Sequence, residues 1–141
     1  MAKGFGKQLE RIKNVFPKEM EDIYKRSETI EVYKKFLIHN LNDAVKLTGV
    51  GDFNWEEFYI FGPGSKKEYE HLKKENPSYT DIYLLNSIAD EYDEHYGLFA
   101  HVVRESDKKK FQIPLADLKA IDTASKDYQL LDDYSVWCVN Y

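Results

Sequence analysis

The chain has 141 residues, with 20 lysines and arginines against 25 aspartates and glutamates, which gives a formal net charge of −5 at pH 7. Hydrophobic residues make up 43% of it and aromatic residues 15%, so we expect a folded domain rather than a disordered protein. No apolar run approaches the ~20 residues of a membrane span, and the first residues lack the apolar core of a signal peptide. We therefore expect a cytoplasmic protein with no membrane partner.

The charge is unevenly distributed along the chain. Residues 1–35 carry nine basic and six acidic side chains, whereas residues 36–141 carry eleven basic and nineteen acidic ones. An acidic surface repels phosphate backbones, so we expect no nucleic-acid partner. The single cysteine, Cys138, excludes an intrachain disulfide and every multi-cysteine zinc or iron–sulfur site.

Apolar spacing predicts helices in the first third of the chain. Two short helices are predicted before residue 27 and a longer one over residues 28–41. The apolar face of the longer helix is formed by Ile30, Tyr33, Leu37 and Leu41. We predict that residues 1–29 are a basic, solvated arm with short helices, attached to a domain of residues 30–141.

The later segments predict a series of short strands. They are expected over residues 43–48, 53–61, 82–85, 98–104 paired as a hairpin with 109–113, and 119–121. Ser65-Lys66-Lys67-Glu68 is a capping box that begins one inserted helix, which Asn76-Pro77 ends. Residues 128–140 are predicted to be a compact aromatic ending, with Tyr134, Val136 and Trp137 packed on the core.

This order of elements lacks the alternation of strand and helix that a parallel sheet requires. We predict an α+β protein in which N-terminal helices precede a small SH3-like β-barrel with one inserted short helix.

Four carboxylates lie within five positions of a segment that is predicted to be a loop between two strands. They are Asp90, Glu91, Asp93 and Glu94. Mutual repulsion makes such a cluster unfavourable unless it is solvated or neutralised by a cation. Calcium suits it best, because this ion takes roughly 6–8 oxygen ligands with loose geometry. The alternative is a solvated acidic turn that keeps a sheet edge soluble.

Two further acids, Asp132 and Asp133, are candidate auxiliary calcium ligands, and their alternative role is to cap a helix or turn. An EF-hand does not fit this chain. Placing Gly97 at the sixth loop position puts Val103 at the twelfth, where that loop has a glutamate.

No catalytic constellation is evident in the sequence. Glu56 and Glu57 are neighbours on a predicted strand and so point to opposite faces, which does not suit the carboxylate pair of glycoside hydrolysis. Cys138 lies in an apolar stretch that is typical of a buried structural cysteine. We therefore predict that the protein is not an enzyme.

Several segments form a pattern when they are taken together. They are Phe111–Leu118 with Pro-Leu-x-x-Leu, then Ile121-Asp122, then Tyr128–Trp137, and upstream Tyr33–Val45, Trp55-Glu56-Glu57 and Gly62. This pattern resembles the CcbP-like family of small acidic bacterial calcium-binding proteins. The resemblance covers about residues 30–141, and His39 stands where family members tend to have an acid.

The resemblance implies an N-terminal helix and an SH3-like barrel that binds Ca²⁺ through surface carboxylates, as a buffer or a calcium-signal component. Residues 90–94 would then hold the first site, with Asp132 and Asp133 as auxiliary ligands. The alternative is an interaction module that binds a protein partner, such as a peptide, without metal. Its aromatic barrel face would comprise Tyr59, Phe61, Tyr83 and Phe99.

Overall fold

The computed structural model describes the backbone of residues 2–141 and the side chains of residues 6–141. Its helices are α1 (Ala2–Val15), α2 (Ser27–Asn40), α3 (Glu57–Ile60), α4 (Lys66–Leu72) and α5 (Lys126–Asn140). Its strands are β1 (Lys46–Gly49), β2 (Tyr83–Asp93), β3 (Gly97–Arg104), β4 (Lys110–Pro114) and β5 (Leu118–Ala120). Short 3-10 helices, Asn54–Glu56 and Leu115–Asp117, precede α3 and β5.

The five strands form one antiparallel sheet in the order β4-β3-β2-β1-β5. The predicted α+β class is therefore confirmed. The predicted closure of the sheet is not, because β4 and β5 are its two edges and do not pair with each other in the described chain.

The long strand β2 bends across the molecule. It pairs with β1 at Tyr83 and Leu84, and beyond Leu85 it pairs only with β3. Its register shifts between Leu85 and Ser87 and again between Ile88 and Tyr92, and such irregularities increase the local twist. The predicted acidic loop is corrected here, since the strand continues to Asp93 and the connection to β3 is only residues 94–96.

The core lies between the sheet and the helices α1, α2 and α5. Its centre is the trio Tyr33, Tyr134 and Trp137, all fully buried, with ring centroids 4.9 to 5.9 Å apart. Ile12 and Phe16 are also buried in this core. The N-terminal segment is therefore packed against the domain, in contrast to the predicted solvated arm.

Two predicted elements have a different structure. The aromatic content of residues 53–61 favours a strand, but residues 54–60 are helical, because the Glu56 carboxylate accepts the Phe53 N–H at 3.0 Å and so caps a helical turn. The second of the two short N-terminal helices is absent, since residues 20–24 have no regular secondary structure.

The C-terminal ending is a 15-residue helix, α5, that begins after Ser125, whose hydroxyl accepts the Tyr128 N–H at 3.1 Å. The predicted burial of Tyr134 and Trp137 is confirmed. The α2 helix, the β3–β4 hairpin and the Ser65 cap, which accepts the Glu68 N–H at 3.0 Å, are also confirmed.

The side chain of Arg104 fastens the end of α4 to the sheet. It is 3% exposed and donates to the carbonyls of Lys73, Lys74 and Asn76 at 2.7 to 3.0 Å. It also pairs with Asp81 at 3.0 Å and with Asp107 at 2.8 Å. Hydrogen bonding from Arg104 lowers the pKa of Asp107 to about 2.

Lys108, in the β3–β4 turn, has a φ of 64°, a left-handed conformation that costs a non-glycine residue on the order of 1 kcal/mol. We expect Lys108→Gly to raise the free energy of unfolding in urea by about 0.5–1 kcal/mol. The control is Ser106→Gly in the same turn, which has no positive φ to relieve and should lower the free energy of unfolding. Equal losses in both variants would contradict the assignment of strain to Lys108.

Candidate functional site

The predicted calcium ligands of residues 90–94 lie at one end of the β2–β3 hairpin, here called the acidic hairpin end. Asp90 and Glu91 are within β2, Asp93 is its last residue, and Glu94 begins the turn. All four side chains are exposed. The Asp90 carboxylate is 3.9 Å from the ammonium of Lys34 on α2.

Asp93 shapes the turn of this hairpin. Its carboxylate accepts the N–H of Tyr96 at 2.8 Å and the N–H of His95 at 2.7 Å. These two bonds, the one from Tyr96 first, lower the pKa of Asp93. Asp93 is therefore a structural cap of the turn as well as a candidate metal ligand.

Gly97 lets the hairpin approach α5 closely. Its φ is +77°, and a Cβ at this position would overlap the hydroxyl of Tyr134 and lie 2.9 Å from the sulfur of Cys138. The Tyr134 hydroxyl accepts the Leu98 N–H at 2.8 Å. The buried hydroxyl of Tyr134 thus holds the backbone of the acidic hairpin end against α5.

Lys25 adds a second anchor from the segment before α2. Its ammonium donates to the carbonyl oxygens of His95 and Cys138, the latter at 2.8 Å. The Cys138 thiol is buried, and burial raises its pKa. The predicted structural role of this cysteine agrees with that environment.

The remaining predicted ligands have partners elsewhere. Glu94 accepts a hydrogen bond from the hydroxyl of Ser27 at 2.8 Å, at the start of α2. Asp133, on α5, is 5% exposed and accepts two bonds from the guanidinium of Arg11 on α1, at 2.8 and 3.0 Å. Its neighbour Asp132 accepts a bond from the Gln8 amide at 2.9 Å.

The six acids therefore contact different elements. Asp132 and Asp133 face α1, whereas the acidic hairpin end contacts the first part of α2. Within the described chain, no group of three or more His, Cys, Asp or Glu side chains is arranged so that it could hold a metal ion.

Glu56 and Glu57, which do not suit a catalytic carboxylate pair, have opposite environments. Glu57 is exposed, but Glu56 is fully buried. The Glu56 carboxylate accepts hydrogen bonds from the N–H groups of Phe53 and Tyr79 and from the hydroxyls of Ser78 and Tyr69. Burial and the bond to Glu56 raise the pKa of Tyr69 to about 12. Glu56 is therefore a saturated structural anchor.

The alternative aromatic binding face is not assembled. Tyr83 is fully buried in the core, whereas Phe61 follows α3 and is 77% exposed. Phe99 is half-buried on β3 and Tyr59 stacks on Tyr69. These rings belong to different parts of the molecule and do not form one surface.

A groove that the sequence did not reveal lies between the end of α2 and β2. Its volume is about 530 Å³, and Ile38, Leu41, Leu84 and Ile88 contribute to its walls. It runs beside the part of β2 that has no strand partner on that side. No sequence signal could place it, because it depends on the point where β1 stops pairing with β2.

Comparisons with known proteins support the fold. No protein-family model matches the chain, and no curated protein matches it in sequence. The structure is similar to the crystal structure of Anabaena CcbP, with a TM-score of 0.59 at 14% sequence identity. The similarity covers 95% of this chain and 89% of that one. At this identity the likeness shows a shared CcbP-like fold.

Among residues 2–141, no helix is long and apolar enough to cross a membrane.

Glu56→Gln tests the structural role of the buried carboxylate. The substitution replaces one acceptor oxygen by an amide that faces hydrogen-bond donors, so we expect the free energy of unfolding to fall by about 2–4 kcal/mol. Glu57→Gln, at the exposed neighbouring position, should change it by less than about 0.5 kcal/mol. Urea unfolding measures both, and similar small effects would show that the Glu56 network does not stabilise the fold.

Proposed function

We propose that the protein is a cytoplasmic, non-enzymatic calcium-binding protein of the CcbP-like kind, and that it binds Ca²⁺ at the acidic hairpin end. The observation that carries this proposal is the shared fold with Anabaena CcbP over 95% of the chain, since the sequence pattern independently resembles the family of that name. Its role would be that of a buffer or a calcium-signal component.

The exposed carboxylates supply the ligands in this proposal. Asp90, Glu91 and Glu94 are exposed and only lightly engaged, by Lys34 at 3.9 Å and by the Ser27 hydroxyl. Calcium accepts such flexible carboxylates together with main-chain carbonyls and water, whereas magnesium demands octahedral geometry. Asp133 is not included, because Arg11 already neutralises it.

The test is thermal unfolding with Ca²⁺, with Mg²⁺ and with excess chelator at constant ionic strength. A ligand that binds only the folded state stabilises it by about 2.7 kcal/mol at a hundredfold excess over its dissociation constant. We expect Ca²⁺ to raise the Tm of the protein, Mg²⁺ to raise it less, and the combined variant Asp90→Asn, Glu91→Gln, Glu94→Gln to abolish the Ca²⁺ effect.

Asp93 is left unchanged in this variant, because its loss would disturb the turn as well as a metal site. The matched control removes the same charge from exposed positions outside the hairpin, by Glu19→Gln, Glu21→Gln and Glu57→Gln. If the control loses the Ca²⁺ effect equally, or if Ca²⁺ and Mg²⁺ act alike, the ions act only by screening and the proposed site is wrong.

A second candidate function, peptide binding, is favoured by the groove beside β2. Beyond Leu85 this strand pairs only with β3, so its other side is available to an added strand. The groove offers exposed Ile38, and the acid Asp43 lines it. The occupant that fits is an extended peptide with alternating apolar and basic residues.

This second candidate is tested with a synthetic peptide of alternating valine and lysine, titrated by isothermal calorimetry at low and high salt. We expect Ile38→Ser and Asp43→Asn each to weaken binding about tenfold. Val50→Ser is the control, because Val50 and Ile38 are both 55% exposed. Binding that is equally weakened by the control, or that is absent in the unmodified protein, would exclude the groove as a peptide site.

A further inference from the structure

One face of the sheet is covered by helices, and the other is open to solvent. Helices α1, α2 and α5 cover the core face, and Arg104, buried on that side, contacts the end of α4. Successive side chains of a strand point to opposite faces. The residues that alternate with the buried ones therefore form an outer face, whose apolar members include Ile82, Leu84 and Ile121, which are 43%, 38% and 41% exposed.

One row of residues on the outer face crosses four strands. Lys46 on β1 pairs with Leu84 on β2. Leu84 also pairs with Val103 on β3, and Val103 pairs with Lys110 on β4. Residues that pair directly across antiparallel strands share a face and are close neighbours. The row therefore has two apolar side chains in the middle and a lysine at each end.

The outer face is basic, although the chain as a whole is acidic. Lys119 on β5 pairs with Thr48, two residues after Lys46, and adds a third lysine. The acid beside them is Glu105, 3.5 Å from the ammonium of Lys46. Three lysines against this one glutamate leave a net charge of +2. None of the ion pairs among residues 6–141 involves Lys110 or Lys119.

The spacing of the lysines suits an α-helix laid along the two central strands. Three strand spacings of about 4.8 Å place the Cα atoms of Lys46 and Lys110 about 14 Å apart. A helix with its side chains is about 10–12 Å across, so it fits between them above Leu84 and Val103. A sheet with helices on both faces is one of the stable layer arrangements of proteins.

We propose that the outer face binds an amphipathic helix of an acidic partner protein. The apolar stripe of that helix packs on Leu84 and Val103, and carboxylates on its two flanks pair with Lys46 and Lys110. The charge of the face selects this occupant, because a basic or neutral helix would leave the lysines without counter-charges. The acidic hairpin end takes no part, so the inference does not depend on calcium binding.

The probe for the test is a synthetic helical peptide of about 18 residues, long enough to hold a helix. It has leucines three and four positions apart and glutamates on both flanks of that stripe. Its matched counterpart has glutamine in place of each glutamate. We expect the acidic peptide to bind the full chain with a dissociation constant below about 100 μM at low salt, and the glutamine peptide to bind at least about fivefold more weakly. Chemical shifts of backbone amides follow the binding and should change in β2 and β3.

The lysines are tested with two double variants. Lys46→Gln combined with Lys110→Gln should weaken binding of the acidic peptide about tenfold and reduce its salt dependence. The matched control is Lys13→Gln combined with Lys18→Gln, which removes the same charge from exposed positions in α1 and just after it. This control should retain at least about half of the affinity.

The apolar contact is tested with one substitution at two positions. Val103→Thr keeps the shape of the side chain and its preference for a strand, and it should weaken binding about threefold because apolar surface is lost from the contact. Val139→Thr is the control, since Val139 is 77% exposed on α5 and should not contact the peptide. Thermal unfolding without peptide verifies that the variants fold.

Four results would overturn the proposal: no binding of the acidic peptide below about 100 μM, equal binding of the glutamine peptide, equal losses in the test and control variants, or shifts that map to the helices. A second copy of the chain is the competing occupant. Sedimentation of the protein alone separates the two, because a dimer that Val103→Thr dissociates would show that the outer face joins two copies, and the proposed partner helix would then be wrong.

Discussion

The placement of helices α3 and α4, which lie between β1 and β2 in the chain, depends on the buried guanidinium of Arg104. Helices α3 and α4 contain no fully buried residue, so burial of apolar surface contributes little to holding them in place. Arg104 instead gathers the carbonyls at the end of α4, where the helix leaves acceptors without partners. It stacks on Phe111 with 5.0 Å to the ring centroid, so the sheet itself fixes its position.

The same network extends from Arg104 to Glu56. Asp81 accepts a bond from Arg104 and another from the Ser78 N–H, and the Ser78 hydroxyl donates to Glu56. The buried side chains of Arg104 and Glu56 are thus connected through Asp81 and Ser78, and each of them is fully hydrogen-bonded. A fully satisfied network of this kind specifies one arrangement, because any rearrangement leaves a charge buried and unpaired.

Local signals predicted the elements that local interactions determine. The apolar face of α2, the β3–β4 hairpin and the Ser65 cap are properties of neighbouring residues, and each was correctly placed. The strand predicted over residues 53–61 was wrong. Their aromatic side chains favour a strand, whereas the conformation is decided by the burial of Glu56 among donors from residues 69–79. Distant partners of this kind leave no periodicity in the sequence.

The candidate sites show the same division. Clustering of acids in the sequence located the acidic hairpin end, but the roles of its members depend on Ser27, Lys25 and Lys34, which precede it by more than fifty residues. Periodicity likewise placed Tyr33 on the buried face of α2. The bonds from Arg11 and Gln8 to Asp133 leave no such periodicity, because only the packing of α1 on α5 brings those side chains together.

The arrangement of the acidic hairpin end also limits what kind of calcium site it can be. Asp93 is committed to the turn, and the ammonium of Lys25 already occupies the carbonyls on the inner side. In the proposed site a calcium ion would therefore be held from the solvent side, by the exposed carboxylates of Asp90, Glu91 and Glu94. Ordering those side chains on binding costs conformational entropy. A weak site that responds to large changes in calcium concentration is consistent with this geometry, whereas a tight buffer would require ligands that are already convergent.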